Sequence, residues 1–392
     1  MKYLKKGVAF LLSAGMLVMA LTGCSLIDGI MSETLETLTD ETASESASAS
    51  ASSIDYEAAS TFMDPDTVVM TIAGEDITWE AYYYLMRQAV VTVASNVGIS
   101  WESTLSGITN EDGTDMTQAE YVKYYTENSL AYYRTVALFC AENGVNVTEA
   151  ALAAVEETLR ASYDSNEALD EALANNYISL ETYLQMNVLV NLLDEVYEKL
   201  YGADGANVTD EQMAAFLEET PYYMCKHIFI STRDTDGNEL SEEEVAAKQE
   251  LAQSIADELK AYEGDNEGLQ ALFQEKIDEY NEDTGVLIYP DGYLYTSGQM
   301  VTEFQEATEA LGDYEISDPV KSTYGYHVIM CLPLDYDAMP VPVSSSSSEN
   351  TLRETAANAL YTAAIEEIQE GMKITYTDAY EAIDLAEIFI YG

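Results

Sequence analysis

Apolar positions from residue 78 to about residue 220 recur with the period of an α-helix, and this pattern predicts a helical domain. A strand over residues 67–72 and a turn at Gly74 precede the first helix, which Thr78 is suited to cap. In the segment that closes at Gly144, one predicted helix face collects large side chains: Tyr121, Tyr125, Tyr132, Val136 and Phe139. Most tyrosine rings of this region should therefore pack between helices, and a minority could line a peptide-binding groove.

The pattern changes at residue 221, where short apolar, β-branched runs begin to separate the helical segments. Strands are predicted over residues 223–230 and 325–332, with another in the run "GVLIYPDGYLYTSGQM". Helices are predicted after a capping box at Ser241 and Glu244, over residues 269–280 and near residues 303–311. The order β-α-α-β-α-β predicts an α+β unit over residues 221–333.

A low-complexity run, "PVPVSSSSSEN", follows, and residues 334–350 are predicted to be a linker. Residues 351–392 contain one more helical pattern, with Ala357, Tyr361 and Ile365 on its apolar face. Alone, that helix has nothing to pack against. We therefore expect residues 351–392 to return to the helical domain over residues 66–220, which makes the α+β unit an insertion.

The N-terminus has the features of a secretory signal. Three lysines precede an apolar run over residues 7–20 and the sequence "LTGC", which ends at Cys24. The four residues resemble a bacterial lipobox, so residues 1–23 are predicted to be a lipoprotein signal peptide and Cys24 the lipidated residue; an ordinary signal peptide is the alternative. Residues 24–65 are rich in Ser, Ala and Glu and are predicted to be a disordered tether.

The chain of 392 residues has 71 acidic and 16 basic residues, a formal net charge of −55. Binding to nucleic acid needs clustered Lys and Arg to neutralise phosphates, so this class of partner is excluded. The remaining cysteines, Cys140, Cys225 and Cys331, are too few for a disulfide framework and are predicted to be small buried hydrophobes.

The chain has only two histidines, and both fall inside predicted strands, in "MCKHIFIS" and "YGYHVIMC". Around His227 and His327, the fragments "KHIFIS", "EYNEDTG", "SGQMVTEFQEA" and "DPVKSTYGYHVIM" occur in the order found in parvulin-type peptidyl-prolyl isomerases. The resemblance covers about residues 221–333. The flanking signal peptide and helical segments resemble the PrsA foldases and the SurA-like chaperones, and the lipobox favours the Gram-positive PrsA type.

The resemblance implies a fold and a site. The fold is α+β: a helical chaperone domain with an inserted parvulin domain, whose antiparallel sheet of about four strands is flanked by helices. The resemblance assigns catalytic roles to His227, Asp283, Ser322 and His327, and substrate-binding roles to Met300, Phe304, Tyr295 and Tyr324. Core packing for Met300 and Phe304, a solvated acid for Asp283 and a surface hydroxyl for Ser322 remain open alternatives. Rotation about an X-Pro bond needs no nucleophile, cofactor or metal.

The implied function is a lipid-anchored extracytoplasmic foldase that binds unfolded secreted polypeptides and isomerises their X-Pro bonds, while a homodimer is left open. Two departures from the parvulin pattern put the catalytic rate in question. Val301 replaces a Gln that often follows G-Q-M, and "YPDGY", which ends at Tyr293, replaces a glycine-rich turn. A holdase chaperone with a weak or inactive isomerase domain is therefore the alternative. A solute-binding lipoprotein is disfavoured because no two-lobed α/β pattern occurs.

Overall fold

The computed structural model describes residues 54–110, 112–341 and 350–390. In these residues the helices, in chain order, are α1 (Tyr56–Ser60), α2 (Trp79–Asn96), α3 (Gln118–Glu142), α4 (Glu149–Ala161), α5 (Asn166–Asn175), α6 (Leu180–Tyr201), α7 (Asp210–Glu219), α8 (Glu242–Lys260), α9 (Asn266–Tyr280), α10 (Thr302–Glu309), α11 (Leu352–Glu370), α12 (Asp378–Glu381) and α13 (Leu385–Ile388). The strands are β1 (Val68–Ile72), β2 (Glu75–Thr78), β3 (Thr104–Thr109), β4 (Asp115–Thr117), β5 (Tyr222–Ser231), β6 (Tyr293–Thr296), β7 (Val320–Lys321), β8 (Gly325–Leu332) and β9 (Ile374–Tyr376). None of these helices is long and apolar enough to cross a membrane.

The chain divides into two compact units, one formed by residues 200–360 and the other by the chain on both sides, up to residue 199 and from residue 361. We call them the middle unit and the split unit. In the split unit, the C-terminal strand β9 pairs antiparallel with β1 in a sheet of order β2-β1-β9. The buried carboxylate of Glu127 in α3 accepts hydrogen bonds from the phenols of Tyr376 and Tyr380. Residues far apart in sequence thus share one core.

The middle unit contains a four-stranded antiparallel sheet of order β6-β5-β8-β7, which confirms the predicted α+β class. Successive residues of a strand point to opposite faces, so the two faces of β5 and β8 carry different sets of side chains. On one face, Cys225 and Ile329 pack with Phe304 of α10. On the other face, the phenol of Tyr326 donates to Gln249 of α8. His227 and His327 belong to the same face as Cys225 and Ile329.

The structure corrects several predicted boundaries. The folded part begins before residue 66: Asp55 caps α1, and Ile54 and Ala59 are buried, so the tether prediction is wrong for residues 54–65. The region predicted to be helical also contains the β3–β4 hairpin. In the predicted linker, Val341 donates its backbone N–H to the carbonyl oxygen of Leu294 in β6, which is an edge strand of the sheet. The predicted signal peptide and Cys24 lie outside the described residues.

Candidate active site

The β-sheet brings the two histidines together although they lie far apart in the sequence. In the β5–β8 register, His227 lies opposite Ile329 and Phe229 lies opposite His327, so the imidazoles are diagonal neighbours on one face. Their ring planes are nearly parallel, at an angle of 14°, and the ring centroids are 5.3 Å apart. Nδ1 of His227 lies 3.1 Å from Nδ1 of His327.

A continuous chain of hydrogen bonds extends from this pair in both directions. Nε2 of His227 lies 2.9 Å from Oδ2 of Asp283, and Nε2 of His327 lies 2.9 Å from Oγ of Ser322. At the far end, the phenol of Tyr293 donates to the same Oδ2 of Asp283 at 2.5 Å. All four residues predicted to be catalytic therefore lie in one network, which Tyr293 extends.

The hydrogen bonds from His227, Tyr293 and the backbone N–H of Gly285 hold the pKa of Asp283 well below its usual range, against the opposing effect of burial. An ionised carboxylate can only accept, so Nε2 of His227 donates to Oδ2 of Asp283. Burial, with a smaller effect of His227, lowers the pKa of His327 to about 3 and keeps its ring neutral.

Local structure fixes the ends of this network. Asp283 follows α9 directly and caps the next turn, since its Oδ1 accepts the N–H of Gly285 at 3.0 Å. Asn281 accepts the N–H of Phe229 at 2.8 Å and so joins the end of α9 to β5. At the other end, the buried hydroxyl of Ser322 accepts the N–H of Tyr324 at 3.1 Å. The turn after β7 therefore orients Ser322 toward His327.

Aromatic side chains pack against the two histidines. The ring of Phe304 meets His227 edge-on at 5.2 Å and 89°, and meets His327 at 5.4 Å and 83°. Phe229 stacks on His327 at 4.9 Å. Met300 packs half-buried in the same cluster. These contacts form an apolar surface directly beside the polar network.

The remaining predicted residues lie at different depths. Tyr295 is fully buried behind Phe304, and the centroids of the two rings are 6.2 Å apart. Its ring therefore packs against Phe304 in the core. Tyr324 is 55% exposed at the rim, two residues after Ser322. A cavity of about 10 Å³ beside His227 and Tyr293 has room for no more than one water molecule, and is too small for a pyrrolidine ring.

The sequence analysis missed the roles of Tyr293 and Phe229. Tyr293 ends the "YPDGY" segment, which departs from the parvulin pattern. That departure was the sequence signal that could have drawn attention to Tyr293. The preceding Gly292 has φ +122°, and a Cβ there would lie 2.8 Å from the carbonyl oxygen of Cys225. Only glycine permits this close approach to β5, which starts β6 in register and places the phenol of Tyr293 over Asp283.

Comparison with known proteins assigns the class. Residues 227–332 match the family model described as rotamase, a PPIC-type PPIASE domain. The middle unit therefore contains a parvulin-type domain, and the resemblance drawn from the motifs is confirmed.

Two of the longer alignments are with PrsA foldases. The chain is 28% identical over 173 residues to the foldase protein PrsA of Halalkalibacterium halodurans, covering 43% of this chain and 44% of that protein. It is 29% identical over 206 residues to PrsA of Oceanobacillus iheyensis, covering 52% of this chain and 58% of that protein. The chain thus spans about half the length of the curated relatives it matches. A solved structure of peptidylprolyl isomerase (PrsA) from Bacillus anthracis aligns at 16% identity over 62% of this chain and 95% of that chain, with a TM-score of 0.24.

Proposed function

We propose that this protein is an extracytoplasmic foldase whose middle unit catalyses cis/trans isomerisation of X-Pro peptide bonds. The observation that carries the proposal is the unbroken network from Tyr293 through Asp283, His227 and His327 to Ser322, with Phe304 against both imidazoles. The network contains no activated nucleophile, and the reaction requires none.

The chemistry follows from the amide itself. Resonance holds an X-Pro bond planar behind a barrier of roughly 18–20 kcal/mol, and the uncatalysed rotation takes tens to hundreds of seconds. We place the pyrrolidine ring against the apolar surface of Phe304 and Met300. A carboxylate such as Asp283 near the amide oxygen disfavours the planar form, which carries more negative charge on that oxygen than the twisted form does. The hydrogen bond from Nε2 of His227 holds the carboxylate in place.

The other predicted parts complete the proposal. Unfolded secreted polypeptides with X-Pro bonds are the proposed partners, and the helical part of the split unit is the proposed site where they are held. Acylation of Cys24 is the proposed anchor to the outer face of the cell membrane. In cells that make the protein, Cys24→Ser should move it from the membrane fraction to the medium; retention in the membrane would contradict the anchor.

A protease-coupled assay on a short proline peptide tests the catalytic proposal. The parent chain should accelerate isomerisation, and His227→Ala and Asp283→Asn should each abolish most of the acceleration. Asp291→Asn is the matched control, because Asp291 is an exposed acid in the same loop. Val301, which is 37% exposed where many parvulins have Gln, supplies no side-chain donor and favours the alternative of a holdase. Suppressed aggregation of an unfolded protein by a parent chain without isomerase activity would establish that alternative.

A further inference from the structure

A groove of about 540 Å³ lies between α4 and the start of α6 in the split unit. Its floor is apolar and includes Leu152, Leu180 and Leu184, while carboxylates of Glu149, Glu156 and Glu181 line it as well. The volume falls within the range of roughly 300–1,000 Å³ that is typical of ligand pockets. The groove can therefore receive a few side chains of a peptide.

The packing of α4 leaves part of this surface uncovered by the residues that the structure describes. Leu152, Val155 and Leu159 follow one another at helical spacing, yet Leu159 alone among the residues of α4 is buried. Leu152 and Val155 are half-buried, and Ala153 beside them is exposed. The apolar stripe is covered at its C-terminal end and open at its N-terminal end, where the groove lies.

The charges around the groove decide which occupant fits it. Glu156 is paired with Arg160 at 2.6 Å, whereas Glu149 and Glu181 are exposed in the first turns of their helices. The chain's own N-terminal segment is a poor match, because no Lys or Arg occurs between Lys6 and Arg87. A second copy carries the same net charge of −55 and is repelled.

We propose that this α4–α6 groove binds an extended client segment in which apolar residues stand next to Lys or Arg. Leucine-sized side chains of the segment enter the floor, and its cations face Glu149 and Glu181. The inference rests on the proposed function only in taking unfolded polypeptides as clients, and it names the class of segment they present. Complementary charge mainly accelerates association and selects partners, so binding should weaken as salt is added.

Fluorescence anisotropy with the full chain tests the inference. The probe is a labelled peptide of alternating Leu and Lys that contains no proline, so that the isomerase site is not engaged. Matched peptides replace every Lys by Glu or every Leu by Ser. Only the Leu/Lys peptide should bind, and Ala153→Lys should weaken its binding by at least about tenfold, because a cation over the floor repels the peptide and obstructs it. Glu149→Gln with Glu181→Gln should weaken binding by about threefold.

Two control variants separate binding from stability. Ala154→Lys introduces the same charge one residue away, at an exposed position that does not line the groove. Glu167→Gln removes an acid from the first turn of α5, away from the groove, and so matches any loss of helix stability. Both should bind the peptide as the parent does.

The inference is overturned if the three peptides bind alike, or if Ala153→Lys binds as tightly as the parent. A peptide-free parent that sediments as a dimer, and a monomeric Ala153→Lys, would instead identify a second copy as the occupant. Isomerase activity on a proline peptide is read separately. Its absence would contradict the proposed function and leave the groove result standing.

Discussion

The phenol of Tyr293 and Nε2 of His227 both donate to one oxygen, Oδ2 of Asp283, at 2.5 and 2.9 Å. That carboxylate is thus held from β6 and from β5 at once. It cannot rotate without breaking one of the two hydrogen bonds. Tyr293 therefore acts as a positioning residue for the proposed reaction.

We expect Tyr293→Phe to lower kcat/KM on a proline peptide by about tenfold, since a hydrogen bond to a charged group contributes roughly 1.5–3 kcal/mol. The pKa of Asp283 should also rise, so the variant should lose activity at a higher pH than the parent as the solution is acidified. Tyr289→Phe is the matched control, because its ring packs beside Tyr293 at 5.2 Å. A Tyr293→Phe profile that overlays the parent's would remove Tyr293 from the mechanism.

His327 should make the stability of the middle unit depend on pH. Its folded-state pKa is about 3, below the value of about 6.5 in an unfolded chain. Between these values the unfolded state binds a proton that the folded state does not, so stability falls as the pH is lowered from about 6.5 toward 3. The slope from this residue is about 1.4 kcal/mol per pH unit.

Urea denaturation of the parent and of His327→Gln between pH 7 and pH 4 measures this effect. The many other acids contribute to both proteins, so the difference between the two slopes isolates His327. Parallel slopes would mean that His327 binds protons equally in the folded and unfolded states, so that folding does not lower its pKa.

Phe304→Leu should reduce isomerisation at least tenfold while the unit stays folded. The substitution keeps an apolar side chain but removes the ring that meets both imidazoles, and aromatic contacts of this kind contribute about 0.5–1.5 kcal/mol each. Phe273→Leu, at a fully buried phenylalanine of α9, is the control for lost packing. If both variants lost activity and stability to the same extent, Phe304 would act only in core packing.

Gly292→Ala should destabilise the chain by about 1–3 kcal/mol, because it combines a strained φ with a contact of 2.8 Å to the carbonyl oxygen of Cys225. Gly298 is a matched control, since its φ is also positive, +87°, but a Cβ there would meet nothing within 4 Å. The midpoint of thermal unfolding should fall further for Gly292→Ala than for Gly298→Ala. Similar midpoints would indicate that β6 can shift away from β5.

Local signals predicted much of the fold. The predicted capping box at Ser241 and Glu244 opens α8 in the structure, and β8 has the bounds that its apolar run predicts. Such signals act over a few residues, so one sequence reveals them.

Elements whose stability comes from distant partners were harder to predict. The β3–β4 hairpin has few buried residues, Leu105 and Met116 among them, although Asp112-Gly113 with φ +85° at the glycine is a hairpin signal that was overlooked. Residues 54–60 were predicted to be part of the tether because the residues that hold them lie far away in the sequence. Asp55 donates its N–H to the carbonyl oxygen of Ile390, and the carbonyl oxygen of Tyr56 accepts from the phenol of Tyr83. Family motifs predicted the four residues that the network brings together, whereas the hydrogen bond between Tyr293 and Asp283 depends on a loop conformation that those motifs do not encode.

The pairing of β1 with β9 has a consequence for synthesis. Met70 pairs with Tyr376 in that ladder, so the sheet cannot be completed until Tyr376 has been synthesised. Residues 200–360 emerge earlier and contain all the contacts of their own sheet. During synthesis, the parvulin-type unit can thus fold first, while the residues that precede it wait for their last strand.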